Sequence, residues 1–154
     1  MKKSILLFSA FALLSFINCK KKETTENLAI KPENVTVPVT QDTLIKEAQA
    51  NPITTLALSE ADFDFGVIKK GKKVEHVYEV TNTGKNPLII ARVQPGCGCT
   101  VSEFTKEPIM TGQKGQITLK FDSSNFDGFV NKHAEIYANV EKTPITINFR
   151  ANIK

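Results

Sequence analysis

Cysteine carries most of the chemistry open to this chain of 154 residues. Cys97 and Cys99 flank Gly98, and Cys19 lies far upstream. Four readings of Cys97-Gly98-Cys99 remain open at this level. In the first, two reduced or buried thiols pack in a turn, with Gly96 and Gly98 supplying backbone geometry. In the second, a disulfide forms within the motif. Cysteines two apart in an extended chain sit near the bridging limit of about 6.8 Å between Cα atoms, so Gly98 must bend the chain. So small a ring adds little loop entropy and suits redox chemistry better than stapling. In the third, two thiolates hold a soft metal ion such as copper or zinc. A closed zinc site wants about four ligands, so His76, His133 or Met110 would have to converge. His76 falls on a core-facing strand position, where a lone histidine is usually a hydrogen-bonded core residue, and His133 is expected at the surface. In the fourth, a cysteine is a nucleophile, which requires a base and an orienting acid nearby. Asp122, Ser124 and Asp127 before Gly128 approach a calcium loop, but Phe126 occupies a ligand position, so a connecting turn is expected.

Cys19 belongs to a different chemistry. Lys2 and Lys3 precede thirteen apolar or small residues, Ile5 to Ile17. That run is too short to span a bilayer, which takes about 20 residues, and has the form of a secretory signal. It ends at Asn18-Cys19, followed at once by Lys20-Lys21-Lys22-Glu23. An apolar run closing on a cysteine resembles a lipoprotein signal, although Asn18 is larger than the usual small residue. Residues 1–18 are therefore expected to be the signal peptide and Cys19 the diacylated first residue. Each buried CH₂ of its acyl chains contributes about 0.8 kcal/mol to membrane anchoring. The expected location is the outer membrane, facing either the periplasm or the surface.

Hydrophobic residues make up 41% and charged residues 23%, as in a soluble fold. Without the leader, eighteen basic residues stand against sixteen acidic ones, scattered without a patch. That distribution argues against nucleic-acid binding. From Cys19 to residue 53 the chain is rich in Lys, Thr, Glu, Asn and Pro, and reads as a flexible linker reaching on the order of 30 Å. A helical turn or two is expected at Leu44–Ala50, capped by Asp42 or Thr43. Asp42-Thr43-Leu44 also resembles a short bacterial O-glycosylation sequence. Asn34-Val35-Thr36 fits the N-glycan pattern, which carries little weight in a bacterial protein.

Alternation dominates from residue 54 to 154. Val74, His76, Tyr78 and Val80 share one strand face; Ile117, Leu119 and Phe121 another; Ala134, Ile136, Ala138 and Val140 a third; Ile145, Ile147, Phe149 and Ala151 a fourth. Period two with one polar face marks half-buried antiparallel strands. Turn residues at 69–72, 82–87, 111–115, 122–128 and 141–144 separate them. About seven short strands at this spacing predict an all-β sandwich.

Several of these residues, in order, resemble the domain-of-unknown-function 1573 family. They are Phe63-Asp64-Phe65-Gly66-Val67-Ile68, Gly71, His76 through Gly84, Pro87-Leu88-Ile89-Ile90, Cys97-Gly98-Cys99-Thr100, Pro108, Gly112 and Gly115–Phe121. The resemblance runs from about Leu56 to Ile153. It implies an immunoglobulin-like fold related to sperm-protein and cilia-associated domains, and an envelope setting. It implies no activity. Around Val101-Ser102-Glu103-Phe104 the sequence departs from the pattern, leaving strand edges open there.

The expected function is a non-enzymatic interaction module of the cell envelope, anchored to the membrane at Cys19, without a cofactor. Its partner is expected to be an envelope protein or peptide. The alternative is an envelope thiol-redox or soft-metal protein using Cys97 and Cys99.

Overall fold

Strand alternation becomes two four-stranded sheets in the computed structural model, which describes residues 40–154. Sheet I contains β1 (Leu56–Leu58), β3 (Lys73–Asn82), β6 (Lys114–Asp122) and β5 (Thr100–Phe104), in that spatial order. Sheet II contains β2 (Asp62–Ile68), β8 (Ile145–Ile153), β7 (Gly128–Ala138) and β4 (Ile90–Pro95). The protein is an immunoglobulin-like β-sandwich with eight strands, one more than the turn spacing suggested.

Register follows the apolar faces. β3 and β6 pair His76 with Leu119 and Tyr78 with Ile117, while β7 and β8 pair Ala134 with Ile147. Each pair turns its side chains inward, because a slip of one residue would expose the whole set. Phe121 of sheet I meets Phe149 of sheet II at 5.2 Å between ring centroids. Such side chains contribute about 1.5–3 kcal/mol each when fully buried. Tyr78 adds a polar link between the sheets, its hydroxyl donating to the Asn148 carbonyl at 2.7 Å. Burial pushes that hydroxyl's pKa up, and the Glu60 and Asp62 carboxylates push it further.

Two expectations need correcting. The sandwich is not wholly antiparallel, since β2 runs parallel to β8. The turn at Lys69–Lys72 carries the chain from one sheet to the other, so β2 forms no hairpin with β3 and lies instead beside the last strand. Their register shifts between Asp64 and Val67, where Gly66 adopts a φ of 66° and donates its N–H to the Asp64 carboxylate. A side chain would resist that φ.

The second correction concerns the start and the cap of the helix expected before residue 53. Gln41–Ala48 form a helix, α1, three residues earlier at its start than expected. Its cap is Thr40, whose hydroxyl accepts from the Thr43 N–H, and not Asp42 or Thr43. Leu44 and Ala48, four apart and so on one helix face, pack on Tyr137 of β7, which is 1% exposed.

Candidate functional site

The Cys97-Gly98-Cys99 segment is the bend that carries the chain out of β4 in sheet II and into β5 in sheet I. At its near side the Gly96 N–H donates to the His133 carbonyl at 3.0 Å. At its far side the Asp122 N–H donates to the Cys99 carbonyl at 3.1 Å, opening the β5–β6 ladder. Within the bend the Thr100 N–H donates to the Cys97 carbonyl at 3.3 Å. The two strands also meet directly, the Ser102 hydroxyl donating to the Val93 carbonyl at 2.8 Å.

Of the four readings of the motif, the structure forms the second. A disulfide joins Cys97 and Cys99, with their Cα atoms 5.3 Å apart, inside the usual bridging range of about 4.4–6.8 Å. Neither Gly96 nor Gly98 has a positive φ. Gly96 is instead crowded by the His133 ring, which lies over it.

Thr100, 5% exposed, holds its hydroxyl 3.7 Å from the Cys97 sulfur and 3.8 Å from the Cys99 sulfur. Cys99 packs against the core on one side. On the other it lines an open depression of about 360 Å³ with Gly98, Val101, Phe121, Lys73, Lys120 and Asp122. Lys120 is paired to Glu103 at 2.7 Å, and that carboxylate pushes its pKa up. Lys73 reaches Asp122 at 3.6 Å. The Ser124 hydroxyl and N–H bind the Asp122 carboxylate and, with Lys73, hold it below the usual range.

Two further turns share this end of the sandwich. The Ser123 hydroxyl donates to the carbonyls of Lys69 and Lys72, and Lys70 pairs with Asp127 at 2.7 Å. Asp122 and Ser124 therefore act as turn residues, as the broken calcium pattern predicts.

The other sequence candidates are dispersed. His76 is half-buried, bonded to Glu60 at 2.9 Å and stacked on Phe63 with centroids 3.4 Å apart. It is thus a hydrogen-bonded residue at the core edge. His133 is exposed, its ring against Gly96. Met110 is exposed and lies in the turn that bonds to Asn82, at the other end of β3. Among the described residues no three His, Cys, Asp or Glu side chains gather as a metal-binding group. Thr43 of the glycosylation pattern is exposed on α1. Cys19 and Asn34-Val35-Thr36 lie outside the described residues.

Sequence reasoning missed Lys73, Lys120 and Phe121 as neighbours of Cys99. Their proximity comes from the β5–β6 and β3–β6 registers, which set Thr100 opposite Phe121 and Lys73 opposite Asp122. No local pattern encodes that pairing.

A family model described as "Protein of unknown function (DUF1573)" matches residues 56–153. The chain belongs to the DUF1573 family. The match runs from β1 to the end of β8 and includes Val101–Phe104, which lie in strand β5. No curated protein matches the chain. A protein of unknown function from Porphyromonas gingivalis W83 is similar to it in structure, with a TM-score of 0.58 and 17% identity over 68% of this chain and 48% of that one. The Vibrio cholerae VesB protease is similar at a TM-score of 0.52 and 17% identity, over 63% of this chain and 31% of that one. The chain thus spans about half the length of the first and about a third of the second. At that identity the likeness is one of fold alone.

Proposed function

We propose that this DUF1573 protein is an exported lipoprotein, anchored through a diacylated Cys19, whose sandwich is a non-enzymatic binding module of the envelope. The observation that supports binding most directly is the depression beside Cys99. Val101, 59% exposed, stands there on the outer face of sheet I among the charged side chains of Lys73, Lys120 and Asp122. An apolar contact with a few placed polar groups around it is a usual form of recognition site. It opens where three turns converge, and sandwiches commonly present recognition at such ends. The partner fitting it is an extended segment of an envelope protein, with one apolar side chain seated on Val101.

A photo-crosslinking residue in place of Val101, in the full chain expressed in its own envelope, tests this. A discrete adduct absent from the same replacement at exposed Glu107 is expected. Equal labelling at both positions would remove the binding reading. The anchor is tested apart from it. A Cys19→Ala chain should leave the membrane fraction, and if it fractionates like the parent, Cys19 is not the anchor.

A further inference from the structure

We propose that the Cys97–Cys99 disulfide is a reversible redox site, attacked at Cys99 by a dithiol of an envelope protein. This goes beyond the binding reading and needs neither the Cys19 anchor nor a partner seated on Val101.

The placement of the bond supports exchange over stapling. A structural disulfide in a sandwich joins the two sheets. This one closes a ring within a single bend, between residues two apart. Closing so short a loop removes little freedom from the unfolded chain, so folding gives the bond little protection against reduction. The bend's own hydrogen bonds, Thr100 N–H to the Cys97 carbonyl and Asp122 N–H to the Cys99 carbonyl, involve backbone groups and no sulfur. Opening the disulfide is therefore expected to leave the bend in place.

The surroundings assign the sulfurs different roles. Cys99 lines the open depression and Cys97 does not. An incoming thiolate of the dithiol attacks the Cys99 sulfur. The disulfide bond breaks, its electron pair leaves on the Cys97 sulfur, and that thiolate takes a proton. The second thiolate of the partner then attacks the partner's own sulfur in the mixed disulfide, releasing Cys99 as a thiolate, which is protonated in turn. In sum the partner dithiol becomes a disulfide, and Cys97 and Cys99 gain two electrons and two protons. The Thr100 hydroxyl, within 4 Å of both sulfurs at 3.7 and 3.8 Å, is placed to donate to each thiolate as it forms. Hydrogen bonding of that kind favours the leaving thiolate and speeds exchange.

The test uses the full chain and the tryptic peptide Val93–Lys106, which holds both cysteines and excludes Cys19. After quenching with an alkylating agent, the untreated protein should show this peptide unlabelled, two hydrogens lighter than the dithiol. Equilibrated against mixtures of reduced and oxidised glutathione, it should shift to the doubly labelled form within the range of ratios that leaves the chain folded. In single variants, Cys99 of Cys97→Ser should react with oxidised glutathione about tenfold faster than Cys97 of Cys99→Ser. Thr100→Val should slow reduction by dithiothreitol about tenfold, and Thr100→Ser should restore it. Denaturant unfolding of each variant separates these effects from loss of fold. Two labelled thiols in the untreated protein, or a disulfide that resists every glutathione ratio until the chain unfolds, would overturn the proposal. Faster reaction at Cys97 would overturn the assignment of Cys99 as the point of attack.

Discussion

The imidazole of His133 occupies the space that a side chain on Gly96 would need. A Cβ at Gly96 would lie 2.6 Å from His133 Cε1 and 2.7 Å from Nε2. The ring is exposed and can swing into solvent, so Gly96→Ala is expected to destabilise by only about 0.5–1 kcal/mol while displacing His133. Gly115 is the contrasting case. A Cβ there collides with Ile109, which is 3% exposed and packed in the core. Gly115→Ala is expected to cost about 1–3 kcal/mol. Urea unfolding measures both, and the His133 ring resonances report the first. Equal losses for the two substitutions would contradict this account.

Asn139 is a buried polar clasp. Its side chain donates to the carbonyls of Pro52 and Pro87 and accepts from the Ile89 N–H. Asn139→Ala leaves those groups unpaired and is expected to destabilise by about 2–4 kcal/mol. Asn139→Asp should be worse, because it places a carboxylate against two carbonyl oxygens. Chemical denaturation gives the order, and an aspartate variant as stable as the alanine one would count against the clasp.

Helix α1 should detach independently of the sandwich. Only Leu44, Ala48 and Tyr137 form the buried centre of its contact. Leu44→Ser is therefore expected to remove amide-exchange protection from Gln41–Ala48 and leave the Ile147–Ala151 amides of β8 unchanged. A uniform loss across both would mean that α1 is integral to the sandwich.

Acid should weaken the fold through Asp64 and Asp122. The Arg150 guanidinium, with the Gly66 N–H, holds Asp64 below its ordinary 3.8. Ser124 does the same for Asp122. A carboxyl depressed in the folded state contributes stability that is present above its unfolded pKa and lost as pH falls through the folded one. Stability should thus hold above about pH 5 and decline below about pH 4. Asp64→Asn should shallow that decline, and added salt should shrink the Asp64 share, since the pair is exposed. An unchanged acid limb in Asp64→Asn would assign the decline to other groups.

Much of the architecture was legible in the chain itself. His76, Tyr78 and Val80 point inward because period two along β3 admits one buried face, and the turn residues set where each strand stops. The family resemblance was legible over Leu56 to Ile153 for the same reason: those turns and faces recur in order. Cys97 and Cys99 could be singled out as a pair by their spacing, but four chemistries stayed open for them. Which strands lie side by side was not legible. The parallel partnership of β2 with β8 joins residues 86 positions apart, Asp62 with Asn148, and only long-range packing selects it. Tyr137 and Asn139 read as ordinary strand residues until α1 and Pro52 close over them. The structure showed the two sulfurs joined within one bend, and only the tertiary fold brought Lys73, Lys120 and Asp122 beside Cys99. Local propensity acts over a few residues, whereas that site is assembled from β3, β5 and β6, and its geometry exists only once their registers are set.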